Sequence, residues 1–506
     1  MHRHLLPERT TRPLRRVIAA LSFTCITNAG CMLGPDYQPP AVPLEEAWIY
    51  SGDQSIDTTQ AVDPLWWSNA FSDPLLDELV IAALDQNLQL RSATLRMLQA
   101  QQQLAIAIGN QFPQEQQLSG SASRAKGAIL SELITEQYEV GLNLGWELDM
   151  WGRLRRQVLS ASASLDATVA EYDGVLVSLV AQVARTYILI RTTQQRLEVA
   201  KNNIDYQAES LRIARAKFEA GEKSALDMEQ AATLLSNTKA SVPALESELQ
   251  QLKNGLAVLL GQPPHYLDHR LGTFGDIPSA PGGVAVGMPQ DLLRQRPDVR
   301  AAERVLAAQG EQIGVARAEL YPEFSIGGSI GSKAAEIGDL FEGPSETWDL
   351  FGDFQWKLFN YGRLRSNVRL QDARFQQLLA DYRETVLQAQ AEVENAIVAY
   401  LKSQEQLAYY QQAARSSQES VRISTAQYRN GQIDFNTVLS TLTADLQQQD
   451  LLAVARGDVA ASLVEVYLAL GGGWEIREGR GPVELLPWEV KEEMRERTHY
   501  WDRIIP

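Results

Sequence analysis

Few side chains in this sequence have the types and spacing needed for metal binding or catalysis. The 506-residue chain has two cysteines, Cys25 and Cys31, both near the N-terminus, so the rest of the chain offers no thiolate and no disulfide. His265 and His269 have an i,i+4 spacing, but they lie in a Pro-rich segment, and we interpret them as surface residues rather than metal ligands. We therefore expect no metal, no cofactor and no enzymatic activity.

The N-terminus has the pattern of a secretory signal over residues 1–30. Several arginines precede the apolar stretch 17–26, and small residues then lead to Cys31. A cysteine directly after Ala-Gly is similar to a bacterial lipobox, whose thiol is diacylated and anchors the chain in lipid. Asn28 stands where that motif usually has Leu, so cleavage that leaves an inert cysteine is the alternative. Met32 after the cysteine, rather than Asp, favours the outer membrane.

The composition excludes several classes of function. The net charge of −17 argues against nucleic-acid binding, which needs a basic face. No run of 18 apolar residues follows the leader, so we expect no transmembrane helix. Neither G-x-x-x-x-G-K-[ST] nor G-x-G-x-x-G occurs, so any transport must be powered by another protein.

The sequence contains an internal repeat. The motif WGRLR at 151–155 returns as YGRLR at 361–365, displaced by 210 residues, and upstream Phe112-Pro113 returns as Tyr321-Pro322, displaced by 209. One nearly constant offset over such a distance indicates a tandem duplication. The predicted segments are a signal peptide (1–30), a lipidated extended N-terminal segment (31–74), a first repeat (75–261), a Pro- and Gly-rich linker (262–287), a second repeat (288–471) and a C-terminal segment, peripheral or partly disordered (472–506).

Each repeat is predicted to contain long helices, over about 152–260 and 361–470. Residues 363–430 contain neither Gly nor Pro, and apolar residues follow a heptad-like 4-3 spacing. About 68 residues at roughly 1.5 Å each give a rod of about 100 Å. Gly221 and Gly431 then mark turns after which a second helix returns. The helices alone would also fit a soluble coiled coil.

Alternating strands distinguish this chain from a soluble coiled coil. Hairpins are predicted over about 116–148 and 322–358, and three of the four strands alternate apolar residues with polar or small ones, with Gln116–Arg124 the weakest. The apolar positions are Val140, Leu142, Leu144, Trp146 and Leu148; Phe324, Ile326 and Ile330; and Trp348, Leu350, Phe354, Trp356 and Leu358. This alternation is typical of outer-membrane strands, with a soluble sheet as the alternative. Four strands cannot close in lipid, so we expect an oligomer; three chains would give twelve strands.

The motifs resemble the TolC-like outer-membrane factors, specifically the OprM/NodT-type lipoproteins of resistance-nodulation-division efflux systems. The resemblance covers about residues 31–474. The motifs that carry it are Cys31, Gly34-Pro35-Asp36-Tyr37, Pro39, Trp66-Trp67, Phe71, Asp73-Pro74-Leu75, Leu79, Pro289, Asp291-Leu292-Leu293, Arg296-Pro297-Asp298-Val299-Arg300, Ala302-Glu303, Tyr321-Pro322 and Leu470-Gly471-Gly472-Gly473-Trp474.

This resemblance implies a fold that is mainly α with transmembrane β. It implies a homotrimer with a 12-stranded outer-membrane barrel in lipid, continued by a long periplasmic α-helical barrel. It also implies two partners, a periplasmic adaptor (membrane fusion) protein and an inner-membrane RND pump. The helix tips would contact the adaptor through Gly221, Glu222, Gly431 and Gln432.

The resemblance also implies a closed gate near the second tip. Relatives carry a carboxylate on the helix after that tip, but the aligned residue here is Ser440. Asp434 and Asp445 are the nearest acids, and Tyr428, just before the tip, is a further candidate for the constriction. For each of these residues, ordinary packing at a helix turn is the competing interpretation.

Three classes of function can be distinguished by the sequence features that each of them needs. The leading hypothesis is a passive duct that exports small molecules. The second is a lipid-anchored periplasmic scaffold without a pore, which would not need lipid-facing Trp and Leu. The third is a secreted enzyme, which would need converging catalytic groups that the sequence does not suggest.

Overall fold

The structure is a computed structural model that describes residues 32–126, 134–272, 274–291 and 295–505. The predicted signal peptide and Cys31 lie outside the described residues, as do Leu292 and Leu293 of the family motif.

Long helices and two β-hairpins dominate the described chain. In order, the elements are β1 (Ile56–Asp57), α1 (Trp66–Phe71), α2 (Pro74–Gln86), α3 (Leu88–Gly109), β2 (Glu115–Lys126), β3 (Ile134–Leu148), α4 (Arg153–Glu219), α5 (Ala225–Leu259), β4 (Val284–Ala285), α6 (Pro297–Ala318), β5 (Glu323–Ala334), β6 (Glu346–Gln355), α7 (Arg363–Arg429), α8 (Phe435–Leu470), α9 (Pro482–Leu485) and α10 (Trp488–Arg497). Short 3-10 turns lie at Pro289–Asp291, Ile337–Asp339, Gly343–Ser345, Trp474–Arg477 and His499–Trp501.

The duplication extends to the bounds of the helices. Both α3 and α6 have 22 residues, and both of their ends are displaced by 209. Both α4 and α7 have 67 residues, and both of their ends are displaced by 210. Each 67-residue helix is followed by a glycine, Gly221 or Gly431, at φ 70° or 73°. This left-handed conformation, which glycine adopts at little cost, ends the helix and reverses the chain.

The two hairpins form one antiparallel sheet with strand order β2-β3-β5-β6. All twelve residues of β2 pair with β3, from Glu115 opposite Gly145 to Lys126 opposite Ile134. The hairpins join through β3 and β5, where Leu142 lies opposite Ile330. A second, two-stranded sheet pairs β1 with β4 in parallel, so the predicted linker contributes a strand.

One compact unit comprises residues 32–41, 99–168 and 302–382 and contains the four-stranded sheet. Its helical part contains a cluster of small buried side chains. The buried residues Ala163, Ala307 and Ala308 pack together against Tyr37, so that small side chains allow the helices to approach closely.

The other compact unit comprises residues 42–98, 169–301 and 383–505 and holds the main apolar core. The indole of Trp66 is buried there and stacks on Tyr467 with 4.8 Å between ring centroids. The Tyr187 hydroxyl donates to Asp73 Oδ2 over 2.7 Å, so this buried tyrosine keeps its polar atom bonded.

Some segments differ from the sequence-based expectation. The alternation predicted to continue to Leu358 stops with β6 at Gln355, because the Leu358 N–H bonds the Trp356 carbonyl and turns the chain. The segment expected to be extended over 31–74 contains α1. The C-terminal segment folds into short helices, and Leu486, Met494 and Ile505 pack on Leu98.

Candidate functional site

The four-stranded sheet has one apolar face that other parts of the described chain leave exposed. The strand register aligns Leu118, Leu142, Ile330 and Trp348 in one row across all four strands. Every member of the row is exposed, and Trp348 shows 78% of its surface. A face of this kind is costly in water and suits hydrocarbon, and the row spans the sheet from edge to edge.

The opposite face of the sheet is polar. Gln117, Asn143, Ser329 and Asp349 align in the neighbouring row. Asn143 Nδ2 donates to Ser119 Oγ over 3.0 Å, and Ser329 donates its hydroxyl to the Asp349 carboxylate. One face for lipid and one for water is the arrangement of a strand that separates a bilayer from an aqueous lumen.

Tryptophans anchor the end of the sheet that leads into the helices. Trp146 Nε1 donates to the Gln111 carbonyl over 3.2 Å, and Trp356 Nε1 donates to the Leu320 carbonyl over 3.0 Å. Trp151 Nε1 likewise donates to the Pro322 carbonyl over 2.7 Å. Amphipathic indole rings beside the ends of membrane strands are typical of a membrane–water interface.

Hydrogen bonds hold the N-terminal strap, residues 32–37, next to Trp151 and Arg156. The Leu33 N–H donates to the Trp151 carbonyl over 3.0 Å. Arg156, which is fully buried, donates from Nε to the Leu33 carbonyl over 3.2 Å and from Nη2 to Asp36 Oδ1 over 3.0 Å. Its Nη1 donates to Glu311 Oε2 over 2.7 Å, so the charge is paired.

The motif Gly34-Pro35-Asp36-Tyr37 thus has a structural explanation. A Cβ added to Gly34 would come within 2.7 Å of Gly314 Cα, so only glycine permits this approach. The Tyr37 hydroxyl donates to Glu303 Oε1 over 2.7 Å, and burial together with this carboxylate raises the pKa of Tyr37. The strap places Met32, the residue after Cys31, against Gly152, just before α4.

The motifs around Arg300 and Trp474 meet at a buried carboxylate. Asp173 is fully buried, and it accepts hydrogen bonds from Arg477 Nη2 over 3.0 Å and from Arg300 Nη1 over 3.3 Å. The Arg300 guanidinium lies 4.3 Å from the Trp474 ring centroid. Burial raises the pKa of Asp173 despite these two cations. This cluster ties the C-terminal segment to the core and has no catalytic geometry.

Both helix tips expose the four predicted contact residues. Gly221 and Gly431 have open space around the position a Cβ would take, so their role is conformational. The Glu222 and Gln432 side chains are also exposed, and the backbone turns are equivalent. The Glu222 N–H bonds the carbonyl of Lys217, and the Gln432 N–H bonds that of Gln427, each over 2.9 Å.

Of the predicted gate residues, Tyr428 is packed between the two tips. Its ring is buried and lies 5.3 Å from Phe435 within a cluster that also contains Ile213 and Val438. Its hydroxyl donates to Asp227 Oδ2 over 3.1 Å, which links the second tip to the first. Burial, with the Asp227 carboxylate second, raises the pKa of Tyr428, so the phenol stays protonated.

The other predicted gate residues have contacts of their own. Asp434 precedes α8 and makes no side-chain capping bond, and exposed Ser440 bonds the Thr437 carbonyl in its own helix. Asp445 is buried and accepts from Ser417 Oγ over 2.7 Å, which joins α8 to α7.

Asp227 and a second link between the tips were not predicted from the sequence. Arg429 Nη2 donates to Glu209 Oε1 over 3.0 Å. Asp227 lies in the first turn of α5 and Glu209 near the end of α4, so their chain positions beside a tip were the available signal.

Two further findings apply to the described part of the chain. Within 32–126, 134–272, 274–291 and 295–505, no group of three His, Cys, Asp or Glu side chains is arranged to hold a metal ion. In these same residues, one helix, α4, has an 18-residue window apolar enough to cross a membrane, but 61% of that window is buried inside the chain, as in a core helix.

An exposed apolar sheet face suits a bilayer, and paired long helices turn back at glycine tips. Comparison with known proteins supports a membrane protein with these features. The sequence pattern of the family described as outer membrane efflux protein matches residues 79–262 and 288–472, so each match falls on one copy. The chain belongs to this family of outer membrane efflux proteins.

Similar proteins extend over nearly the whole chain. Nodulation protein T of Rhizobium leguminosarum bv. trifolii is 30% identical over 462 residues, 89% of this chain and 96% of that protein. The solvent efflux pump outer membrane protein SrpC of Pseudomonas putida is 31% identical over 474 residues, 90% of this chain and 98% of that protein. The solved outer-membrane channel OprN matches with a TM-score of 0.83 at 32% identity and covers 88% of this chain and 100% of that chain.

These comparisons confirm the predicted family, fold class and location. The protein is an outer-membrane component of an efflux system and has the fold of an efflux channel, a class whose members are not enzymes.

Proposed function

We propose that this protein is a passive duct through which small molecules leave the periplasm or a pump for the cell exterior. The observation that carries this proposal is the row of exposed apolar residues across the sheet, backed by a polar row on the other face. A periplasmic scaffold needs no such face. A duct needs both faces, one for lipid and one for its aqueous lumen.

The duct is completed by other copies of the chain. In the described residues, β2 and β6 each pair on one side only, and unpaired strand edges are not tolerated in hydrocarbon. We propose a homotrimer, in which three four-stranded sheets supply twelve strands. The helices of the same three chains would then form the periplasmic barrel.

Cys31 is the proposed site of diacylation. The bonds of the N-terminal strap to Trp151 and Arg156 support this, because they hold Leu33, two residues after Cys31, next to the end of the sheet. Acyl chains attached there would enter the same membrane as the sheet, each adding about 0.8 kcal/mol of membrane affinity per buried CH2.

The exposed tips are the proposed contacts for a periplasmic adaptor, with Gly221, Glu222, Gly431 and Gln432 at its surface. An inner-membrane RND pump would supply the energy, because the sequence has no nucleotide-binding loop. We also propose that the protein is not an enzyme, and that residues 75–261 and 288–471 act as its two structural repeats.

The proposed gate is the link between the tips. Tyr428 is held by Asp227, and Arg429 is held by Glu209, so both bonds must break before the tips separate. Asp434, Ser440 and Asp445 are secondary candidates, because a ring of such groups from several chains would line an aperture.

A deletion strain tests the duct against the scaffold. The strain is challenged with a panel of drugs, metal ions and solvents, and it is complemented with wild type, Ile330→Lys or Ser329→Lys. Ile330 lies on the apolar face and Ser329 beside it on the polar face. A lysine at mid-bilayer costs about 2–4 kcal/mol, so we expect only Ile330→Lys to fail. Equal rescue by both variants would favour the scaffold.

A further inference from the structure

A cavity of about 370 Å³ lies in the unit that holds the main apolar core, where the C-terminal segment packs beside α2, α3 and α4. This volume is within the range of sites that bind small molecules. Three arginines line the cavity: Arg91, Arg477 and Arg480. Much of the remaining wall is aliphatic and includes Ile81, Leu84, Leu90, Leu176, Ile476 and Leu485. The cavity therefore combines positive charge with a hydrocarbon surface.

Arg91, on α3, brings a half-buried guanidinium to this cavity. Its Nε is shielded from solvent and has no hydrogen-bond partner among the described residues. Moving a charged donor out of water costs free energy unless an acceptor replaces the water. The side chain of Arg91 is thus suited to an anionic group that enters the cavity from outside the chain.

The equivalent arginine of the second copy has its partners within the chain. Arg91 is displaced by 209 residues to Arg300, the offset that relates α3 to α6. Arg300 Nη1 donates to the buried carboxylate of Asp173 over 3.3 Å, and its guanidinium lies 4.3 Å from the Trp474 ring centroid. The chain supplies a carboxylate and a ring to Arg300, whereas Arg91 faces a cavity.

Two neighbours of Arg91 in the cavity wall are also hydrogen-bond donors. Arg477 is held in place by Asp173, to which its Nη2 donates over 3.0 Å. Burial raises the pKa of Tyr172 to about 12, so the phenol of this lining residue stays protonated and able to donate a hydrogen bond. A guanidinium that is fixed by a buried carboxylate and a neutral phenol form a rigid wall of donors.

The charges around the cavity leave a small positive excess. Asp85 and Glu484 line it together with the three arginines, and both carboxylates belong to exposed residues, where water and salt screen their charge. Three guanidinium groups against two carboxylates leave one positive charge. A singly charged anion would balance this excess, whereas a doubly charged phosphate would exceed it.

We propose that this cavity binds a small organic carboxylate, whose charged group pairs with Arg91 and whose apolar part lies against the aliphatic wall. The planar guanidinium matches a carboxylate through two parallel N–H donors. Because Ile476 and Leu485 belong to the C-terminal segment, the bound ligand also holds that segment beside α3. The site does not depend on the proposed duct.

Isothermal titration of the full-length protein in detergent tests the proposal with N-acetyl-leucine, a probe that has a carboxylate and an aliphatic side chain. Its uncharged amide, N-acetyl-leucinamide, is the matched probe and should not bind. We expect Arg91→Gln to weaken binding of the acid by about tenfold or more, because a charge-assisted hydrogen-bond pair is lost. The control variant is Arg96→Gln, an exposed arginine on the same helix outside the cavity, which should leave binding unchanged.

Hydrogen exchange provides a second measurement. N-acetyl-leucine should slow exchange of the amides in residues 476–487 in wild type but not in Arg91→Gln. Failure of wild type to bind the acid, equal binding of acid and amide, or an equal loss in Arg96→Gln would each overturn the proposal. Tighter binding of isopentyl phosphate than of the acid would overturn its assignment to a carboxylate. None of these results affects the duct, which conductance tests separately. If Arg91→Gln does not fold, Arg480→Gln makes the same test.

Discussion

The two copies have long helices of identical length, yet they bury different side chains at equivalent positions. Tyr428 at the second tip exposes 1% of its surface, while Phe218, its counterpart at the first tip, exposes 41%. Near the sheet, Arg156 is fully buried and its counterpart Ser366 is exposed. Duplication fixed the backbone, and divergence followed the neighbours that each copy meets. The first copy holds the N-terminal strap, and the second supplies the aromatic link between the tips.

Of the changes that distinguish the two copies, Arg156→Met should cause the largest loss of stability. This change leaves Glu311 without its cation and removes bonds to the strap, so we expect a loss of about 3–5 kcal/mol. Thermal unfolding in detergent measures it, together with protease sensitivity of residues 32–37. The matched variant Ser366→Met should change stability little. Equal shifts for the two variants would mean that the strap is not what distinguishes the copies.

At the tips, Tyr428→Ala should reduce local stability more than Phe218→Ala does. Truncating the buried ring opens a cavity beside Phe435 and costs about 3–5 kcal/mol of local stability, whereas truncating the half-exposed Phe218 costs about 1 kcal/mol or less. Hydrogen exchange of the tip amides measures both. If exchange rises equally in the two variants, the tips are energetically equivalent despite their different burial.

A third effect isolates the hydroxyl of Tyr428. Tyr428→Phe keeps the ring but loses the hydrogen bond to the Asp227 carboxylate, worth about 1.5–3 kcal/mol. We expect a larger open fraction of the duct in single-channel recordings. Asp227→Asn should act on the same bond, so the double variant should open little more than either single one. Full additivity would show that the two groups act separately.

The long helices and three strands could be predicted because their signals are local. Period 4-3 spacing, the absence of Gly and Pro, and strict alternation each act within a few residues. The strand β2 has weak alternation, and it forms over twelve residues because β3 offers a partner along its whole length. Trp356 alternates correctly but lies past β6, because the Leu358 N–H bonds the Trp356 carbonyl and turns the chain there.

The site was less predictable because it depends on contacts between distant segments. Tyr428 could be proposed from its place beside the tip, but its partner Asp227 lies 201 residues away. Arg156 carries no signal that separates it from the many exposed arginines of the helices. Only the fold brings it to Asp36 and Glu311.

The smallest effect concerns Arg429, which binds Glu209 at the surface. A hydrogen bond from Arg212 lowers the pKa of Glu209, with Arg429 adding to the shift. A lowered pKa means that the link is complete above the ordinary glutamate value and is lost as the pH falls through the lowered one. Acidification below about pH 4 should therefore raise the open fraction slightly, and by more in wild type than in Arg429→Gln. Identical pH profiles would exclude this link as part of the gate.

Ion conductance of the purified protein in planar bilayers distinguishes a gated duct from a scaffold. We expect a small conductance for wild type. We expect larger and longer openings when Tyr428→Phe is combined with Asp227→Asn, because the bond that holds the second tip to the first is then absent. Protein that inserts into the bilayer and yet conducts no ions, in wild type and in this double variant, would contradict the gated duct.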